Sequence, residues 1–184
     1  MANQNICNDL KEHKRRILAK LPFSIDDFII RELKRTDIDI YANWPDYPIK
    51  YEMFNTSLKN RPISERDNRW ECYHQDNKTI SLIVDHKKEK VIGKFSLTRI
   101  NWEKMHVENV GIRIHPNWCN KGYGTKLLKS ISDWCFDNGI EKIKFDVLST
   151  NNRAIKSYRN AGYKIIGEFK CGDAMFYWME SRFK

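Results

Sequence analysis

The chain has 184 residues, 41% of them hydrophobic and 12% aromatic, which is enough apolar material to fill the core of one folded domain and excludes a disordered chain. No run approaches the roughly 18 apolar residues of a membrane-crossing helix, and the start, MANQNICNDLKEHKRR, lacks an apolar signal core, so membrane insertion and secretion are not expected and a cytoplasmic protein is. The net charge of +9 suits a polyanionic ligand. Its basic residues are spread along the chain rather than clustered with aromatics, so nucleic acid is not the expected partner.

Residues 1–22 read as a basic amphipathic helix preceding a domain at 23–184. Ile6, Leu10, Ile17 and Leu21 fall on one stripe, Lys11, Lys14, Arg15, Arg16 and Lys20 lie outside it, and Pro22 stops it. Such a helix packs on its own domain or on a partner subunit. Asp27 to Glu32 reads as the first strand, and Thr36-Asp37 as the cap of a helix through Ile38, Ile40, Tyr41 and Trp44. Residues 45–70 mix Tyr47, Tyr51, Met53, Phe54 and Trp70 with Glu52, Glu65 and Asp67, a helix-and-loop pattern.

Lys78–Asp85 and Lys90–Ile100 read as a strand pair joined by His86–Glu89, with Gly93 a candidate bulge. Val107 to Ile114 carries β-branched residues at 107, 110, 112 and 114 and reads as one strand, stopped by Pro116-Asn117. Then come Asn120, Lys121, Gly122, Tyr123, Gly124 and Thr125, followed by helically spaced Leu127, Leu128, Ile131, Trp134 and Cys135. Strand, glycine-bearing turn and helix start together make a cradle of outward amides and positive dipole for a phosphate or diphosphate. Its spacing satisfies neither the dinucleotide G-x-G-x-x-G, since position 127 is Leu, nor the P-loop.

Asn138-Gly139 ends that helix and Lys142–Leu148 is the next strand. Asn151 to Tyr163 reads as a short helix capped by Asn151, with Ala154, Ile155 and Tyr158 facing one way and Gly162 as the C′ residue. Tyr163–Phe169 and Ala174–Glu180 form a last hairpin around Cys171-Gly172-Asp173. The five cysteines (Cys7, Cys72, Cys119, Cys135 and Cys171) include no C-x-x-C pair and read as free thiols. His74, His106 and His115 do not converge with other ligands, so no metal is expected.

Two stretches in this order carry a resemblance. Residues 119–124 resemble the acyl-coenzyme A loop of the GCN5-related N-acetyltransferases (GNAT), Gln/Arg-x-x-Gly-x-Gly/Ala, with Cys119 at the Gln/Arg position. Asn151, Ala154, Tyr158, Gly162 and Tyr163 match the family's later motif N-x-x-A-x-x-x-Y-x-x-x-G-[FY]. The resemblance runs from about Phe28 to Met179 and is strongest from Glu108 to Tyr163. It implies an α+β, single-domain acyl-CoA N-acyltransferase-like fold, a mixed and mostly antiparallel sheet with helices on both faces.

It also implies an N-acetyltransferase that moves the acetyl group of acetyl-CoA to a primary amine (a protein N-terminus, a polyamine or a small-molecule amine) by direct transfer in a ternary complex. Cofactor contacts would come from Ile112, Arg113 and Ile114 along the pantetheine arm, from Cys119, Asn120, Lys121, Gly122, Tyr123, Gly124 and Thr125 at the diphosphate, and from Asn151 and Tyr158. In the family, residues matching 45–70 line the acceptor groove.

Tyr158 is the expected acid for the leaving thiolate, a phenol of ordinary pKa about 10. Glu108, fourteen residues before Gly122, stands where histone-type members carry a base; it is either that base or a carboxylate that orients substrate or pairs with a lysine, with Asp46, Glu52 and Glu103 as substitutes. Asn151 caps its helix, contacts pantetheine, or does both. Cys119 invites an acyl-cysteine reading, but the family alignment puts it at the phosphate end, and direct transfer is favoured. The alternative to an enzyme is a non-catalytic CoA-binding module with a partner-binding N-terminal helix. Neither metal nor membrane is expected, and a homodimer is left open.

Overall fold

The computed structural model describes residues 2–48, 58–88 and 91–183, with side chains from residue 9 onward. The expected acidic substitute Glu52, with Tyr51, Met53 and Phe54, lies outside the described residues, as do Cys7 as a side chain and the Ile6 end of the first apolar stripe. The chain falls into two compact units, Met1–Ser96 with Gly111–Cys119, and Leu97–Val110 with Asn120–Lys184.

The first unit begins with helix α1 (Ala2–Leu18) and continues through β1 (Phe23–Ile25), β2 (Phe28–Glu32), α2 (Arg35–Ala42), α3 (Ile63–Gln75), β3 (Ile80–His86) and β4 (Val91–Thr98). Ile17 of α1 is buried, as the apolar stripe requires. Lys14 departs from the expected outer face. It is buried, and its ammonium donates to the carbonyl oxygens of His74 (3.0 Å) and Asp76 (2.9 Å) at the end of α3. A cation at a helix C-terminus meets carbonyls that have no partner within the helix. The basic N-terminal helix is thereby fastened to its own unit.

Strand β1, not foreseen from the sequence, pairs antiparallel with β2 across a turn in which Asp26 adopts φ 50°. The helix expected to be capped by Thr36-Asp37 has Lys34 as its N-cap and starts at Arg35, and Asp37 accepts the backbone N–H of Lys34 at 2.7 Å. Asp37 also takes a bidentate pair from Arg31, whose guanidinium bridges to Asp85 on β3. Behind these strands Leu33, Ile38, Tyr41, Ala42, Trp44, Leu58, Ile83 and Val91 form one core cluster. Gly93 earns its place by close approach: a Cβ there would meet the Val84 and Ile114 side chains at 3.2 and 3.3 Å.

The stretch read as one strand from Val107 to Ile114 is two. Strand β5 (His106–Val107) pairs parallel with β7 (Lys142–Leu148), whereas β6 (Asn109–Ile114) belongs to the five-stranded sheet of order β1-β2-β3-β4-β6. Glu108 is the residue between them. A β-branched run signals extended backbone and carries no information about which sheet each half joins.

In the second unit, β5 and β7 belong with β9 (Ala174–Arg182) and β8 (Lys164–Cys171) to a four-stranded sheet of order β5-β7-β9-β8, antiparallel apart from the β5–β7 pair. Helix α4 (Tyr123–Asp137) buries Leu127, Leu128, Ile131, Ser132, Trp134 and Cys135. Each fully buried Leu or Ile contributes about 1.5–3 kcal/mol. Asn138 is its C-cap, and Gly139 follows at φ 92°. Helix α5 (Asn152–Asn160) follows β7. The turn of the last hairpin is carried by Gly172 at φ 58°. No helix among the described residues is long and apolar enough to cross a membrane.

Candidate active site

The cradle loop is built as its residues require. After a short 3-10 turn at Pro116–Trp118, Asn120 sits at φ 61° and Gly122 at φ 80°, both left-handed. Gly122 is the N-cap of α4, and, having no side chain, it makes no side-chain cap hydrogen bond to that helix start. The first-turn N–H groups of an α-helix lack intrahelical acceptors, so Tyr123, Gly124 and Thr125 present donors and the positive end of the dipole. A Cβ built on Gly122 would meet nothing within 4 Å, so the protein leaves open space on that side. Lys121 is exposed beside it.

The second motif sits against residues 120–125 within the same unit. The Thr125 hydroxyl lies 2.7 Å from the Ser157 hydroxyl of α5, and Arg153 of α5 reaches the Asn120 side-chain carbonyl at 3.5 Å. Asn151 accepts the Ala154 N–H at 3.2 Å, which is the N-cap role. One turn on, Tyr158 stands its ring edge-on to Phe145 of β7, with centroids 4.8 Å apart. Burial pushes its phenol up to about 12, Arg153 pulling the other way and Asp146 adding to the rise. The group therefore keeps its proton at neutral pH and can donate it. Ser157, whose hydroxyl joins the two helices, is a position the motif leaves variable, and no spacing signal could have singled it out.

Glu108 lies half-exposed at the break between β5 and β6, its carboxylate 3.9 Å from His106 Nδ1. Burial lowers the His106 imidazole, Lys142 lowers it further, and Glu108 works against both. Val107, next to Glu108, is fully buried and pairs with Ile143 on β7, two residues before the Phe145 that supports Tyr158. Of the substitutes, Glu103 is exposed and Asp46 is paired with Lys59 at 2.9 Å.

Ile112, Arg113, Ile114 and Cys119 belong to the first unit. Strand β6 is last in the order of its sheet, so among the described residues one of its edges has no strand beside it, the geometry that lets an extended ligand add on. The Ile114 carbonyl is occupied, accepting from the buried Tyr47 hydroxyl and, at 3.5 Å, from Cys119 Sγ. Cys119 is half-buried with its thiol directed back to this loop, at 3.7 Å from the His115 carbonyl as well. Cys72, Cys119, Cys135 and Cys171 are free thiols, as expected. Among the described residues no three His, Cys, Asp or Glu side chains gather as metal ligands.

The model of the acetyltransferase (GNAT) family matches residues 41–163. The chain belongs to the GNAT family of acetyltransferases. Both stretches that carried the resemblance lie inside the matched region. This GNAT chain is 27% identical over 107 residues to the L-amino acid N-acetyltransferase AaaT of Escherichia coli, a match that spans 56% of the chain and 65% of that relative's length. Among solved structures it is similar to a spermidine N-acetyltransferase from Vibrio cholerae in complex with CoA and spermine, with TM-score 0.71 and 21% identity over 86% of this chain and 96% of that one. A ribosomal-protein-S5-alanine acetyltransferase from Vibrio fischeri superposes with TM-score 0.66 and 17% identity over 89% and 97% of the two chains. These identities speak to the fold, which is the mixed, mostly antiparallel sheet flanked by helices expected of the family.

Proposed function

We propose that this protein is an acetyl-CoA-dependent N-acetyltransferase acting on a primary amine by direct transfer in a ternary complex. The observation that carries the reading is the Thr125–Ser157 contact, which fastens the start of α4 to the helix that bears Tyr158. An anion held at that helix start and a proton held at Tyr158 are thus parts of one packed unit. The relatives named above act on an L-amino acid, on spermidine and on a ribosomal protein's alanine; their common chemistry is an amine acceptor.

The residues present fit the carrier. The N–H groups of Tyr123, Gly124 and Thr125 and the charge of Lys121 would hold the diphosphate of acetyl-CoA. By the family resemblance, Ile112, Arg113 and Ile114 of β6 would contact its extended arm, and Cys119 and Asn120 would belong to the diphosphate loop. When bound, acetyl-CoA supplies an activated acetyl thioester. The chain's own residues do the rest: the cradle immobilises, Tyr158 Oη gives its proton to the departing sulfur, and Glu108 accepts a proton from the incoming ammonium through water. The Cys119 thiol, a weak donor to loop carbonyls, carries no acyl group.

The test is thiol release from acetyl-CoA across a panel of amines, with thermal stabilisation by coenzyme A measured alongside. Amine-dependent release with stabilisation is expected. Stabilisation without release from any amine would make the protein a CoA-binding module instead.

A further inference from the structure

Amide formation from an ammonium and a thioester sets one proton free. The ammonium loses two protons, the departing sulfur keeps one, and the other must be passed to solvent. A glutamate side chain in water, with a pKa of about 4.3, stores a proton poorly at neutral pH, and an imidazole, at about 6.5, stores one better. The transfer chemistry above uses Glu108 and no imidazole. One stands beside that carboxylate within the same unit: His106 Nδ1 lies 3.9 Å from Glu108 Oε1. The ion-pair partner of Glu108 is therefore this ring, and not the lysine that a merely structural carboxylate would take.

Tied-down backbone places the ring. His106 and Asn101 exchange two backbone hydrogen bonds, of 3.0 and 2.8 Å, and His106 pairs with Lys142 of β7. The Met105 carbonyl just before it accepts the Glu141 N–H at 2.8 Å, and just past Glu108 the Asn109 side-chain amide donates to the Thr98 hydroxyl at 3.0 Å. The turn that delivers His106 contains two non-glycine residues in the left-handed region, Arg99 at φ 53° and Met105 at φ 50°. Residues with a Cβ adopt that region at a cost, and they stay in it where surrounding bonds over-determine the backbone. Val107 and its partner Ile143 are buried on the face of the sheet where Phe145 meets Tyr158, so His106, one residue earlier, projects from the opposite face. The sheet thus stands between the proton donor Tyr158 and the imidazole.

We infer that His106 serves the transfer through Glu108, taking at Nδ1 the proton that the carboxylate has received from the ammonium and passing it to solvent. An N–H bond of the ammonium breaks as a Glu108 O–H bond forms. That O–H bond breaks as the imidazole Nδ1–H forms, and the imidazolium then gives one proton to water. Glu108 returns to its charged form for the next amine. A side-chain rotation of the half-exposed Glu108 closes the 3.9 Å separation to hydrogen-bond distance, and such acid–base contacts tighten once substrate is bound. The ring must enter each cycle neutral. Burial, Lys142 and Lys104 lower its pKa while Glu108 and Glu141 raise it, and the balance leaves it below the ordinary imidazole value, uncharged at neutral pH. His106 is a positioning residue for proton traffic and makes no contact with the amine itself. The inference rests on the acetyltransferase reading.

Thiol release from acetyl-CoA is followed against pH for the parent, His106→Gln and His106→Ala, with an alkyl amine of pKa about 10 as acceptor. For His106→Gln, kcat is expected to fall about tenfold near neutral pH, with KM for the amine and for acetyl-CoA unchanged, and the loss shrinks as pH rises. His106→Ala should regain activity as imidazole is added to the buffer, in proportion to its neutral form. A residue that only shapes the turn gives a loss of constant size at every pH and no rescue. That result, or parent-like kcat in His106→Gln, overturns the relay and leaves the transfer reading standing. A measurement on the parent alone covers a variant that does not fold: the His106 ring, followed by proton magnetic resonance, should titrate below the ordinary imidazole value, and titration at or above that value overturns the relay. Absence of thiol release from the parent with every amine removes both readings.

Discussion

The hydroxyls of Thr125 and Ser157, 32 positions apart, meet at 2.7 Å and tie the first turn of α4 to α5. The contact does two jobs. It fixes the height of the cradle relative to Tyr158, and it satisfies two half-buried hydroxyls. Ser157→Ala removes it while keeping helix propensity high. The expected stability loss in urea denaturation is about 0.5–1.5 kcal/mol. KM for acetyl-CoA should rise severalfold with it; an unchanged KM would mean the cradle holds its position without α5.

Tyr158→Phe keeps the ring on Phe145 and removes only the proton donor. kcat is expected to fall by about 10²–10⁴ while KM for acetyl-CoA and the thermal midpoint hardly move. The same group makes a statement about stability. Its folded pKa, about 12, lies above that of an exposed phenol near 10, so the native state holds the proton more tightly. That contribution is fully present below about pH 10 and is lost as pH rises through about 12. In an ultraviolet titration Tyr158 should therefore ionise late, and Tyr158→Phe should remove one late-ionising phenol from the profile.

Gly122 and Gly162 make a matched pair. Both have positive φ, 80° and 99°, and a Cβ at either would touch nothing within 4 Å. Alanine at each should cost about 1–2 kcal/mol through backbone conformation alone. Only Gly122→Ala places its methyl where the diphosphate is proposed to sit, so only it should raise KM for acetyl-CoA, by tenfold or more. Equal kinetic effects of the two would remove the diphosphate from the α4 start.

Much of this was legible in the sequence because local chemistry dictates it. Asn151 as cap, Gly162 as C′ residue, Asn138-Gly139 as a stop and Lys142–Leu148 as a strand each follow from side-chain and backbone preferences a few residues wide, and each stands where expected. The failures are non-local. Val107–Ile114 splits because its halves join different sheets, and nothing in the run itself encodes that. Lys14 reads as a solvent-facing charge on a helical wheel, yet it is drawn in by carbonyl oxygens about 60 residues away.

Lys14 offers a direct measure of how firmly α1 is held. Its ammonium also lies 3.4 Å from the Tyr73 carbonyl, so it serves three carbonyls at the end of α3. Lys14→Met retains the alkyl stem and removes the charge. The expected loss is about 1–3 kcal/mol by urea denaturation, with kcat unchanged. A variant as stable as the parent would mean that α1 is held by its apolar stripe alone and that its basic face remains available to a partner.

Glu108→Gln separates a base from a carboxylate that merely orients. The substitution preserves shape and hydrogen-bonding reach but cannot accept a proton, and the half-exposed position makes folding indifferent to it. A base matters most where the amine arrives protonated. With an alkyl amine of pKa near 10, kcat/KM should fall by about 10²-fold near neutral pH. The deficit should shrink by about tenfold for each unit of rising pH, because solution then does the deprotonation. An orienting role predicts a loss of constant size at every pH, with KM for the amine rising and kcat preserved. An amine of low pKa, already neutral at pH 7, discriminates further: Glu108→Gln should acetylate it nearly as fast as the parent does. Equal losses for the low-pKa and high-pKa amines would remove Glu108 from the proton path.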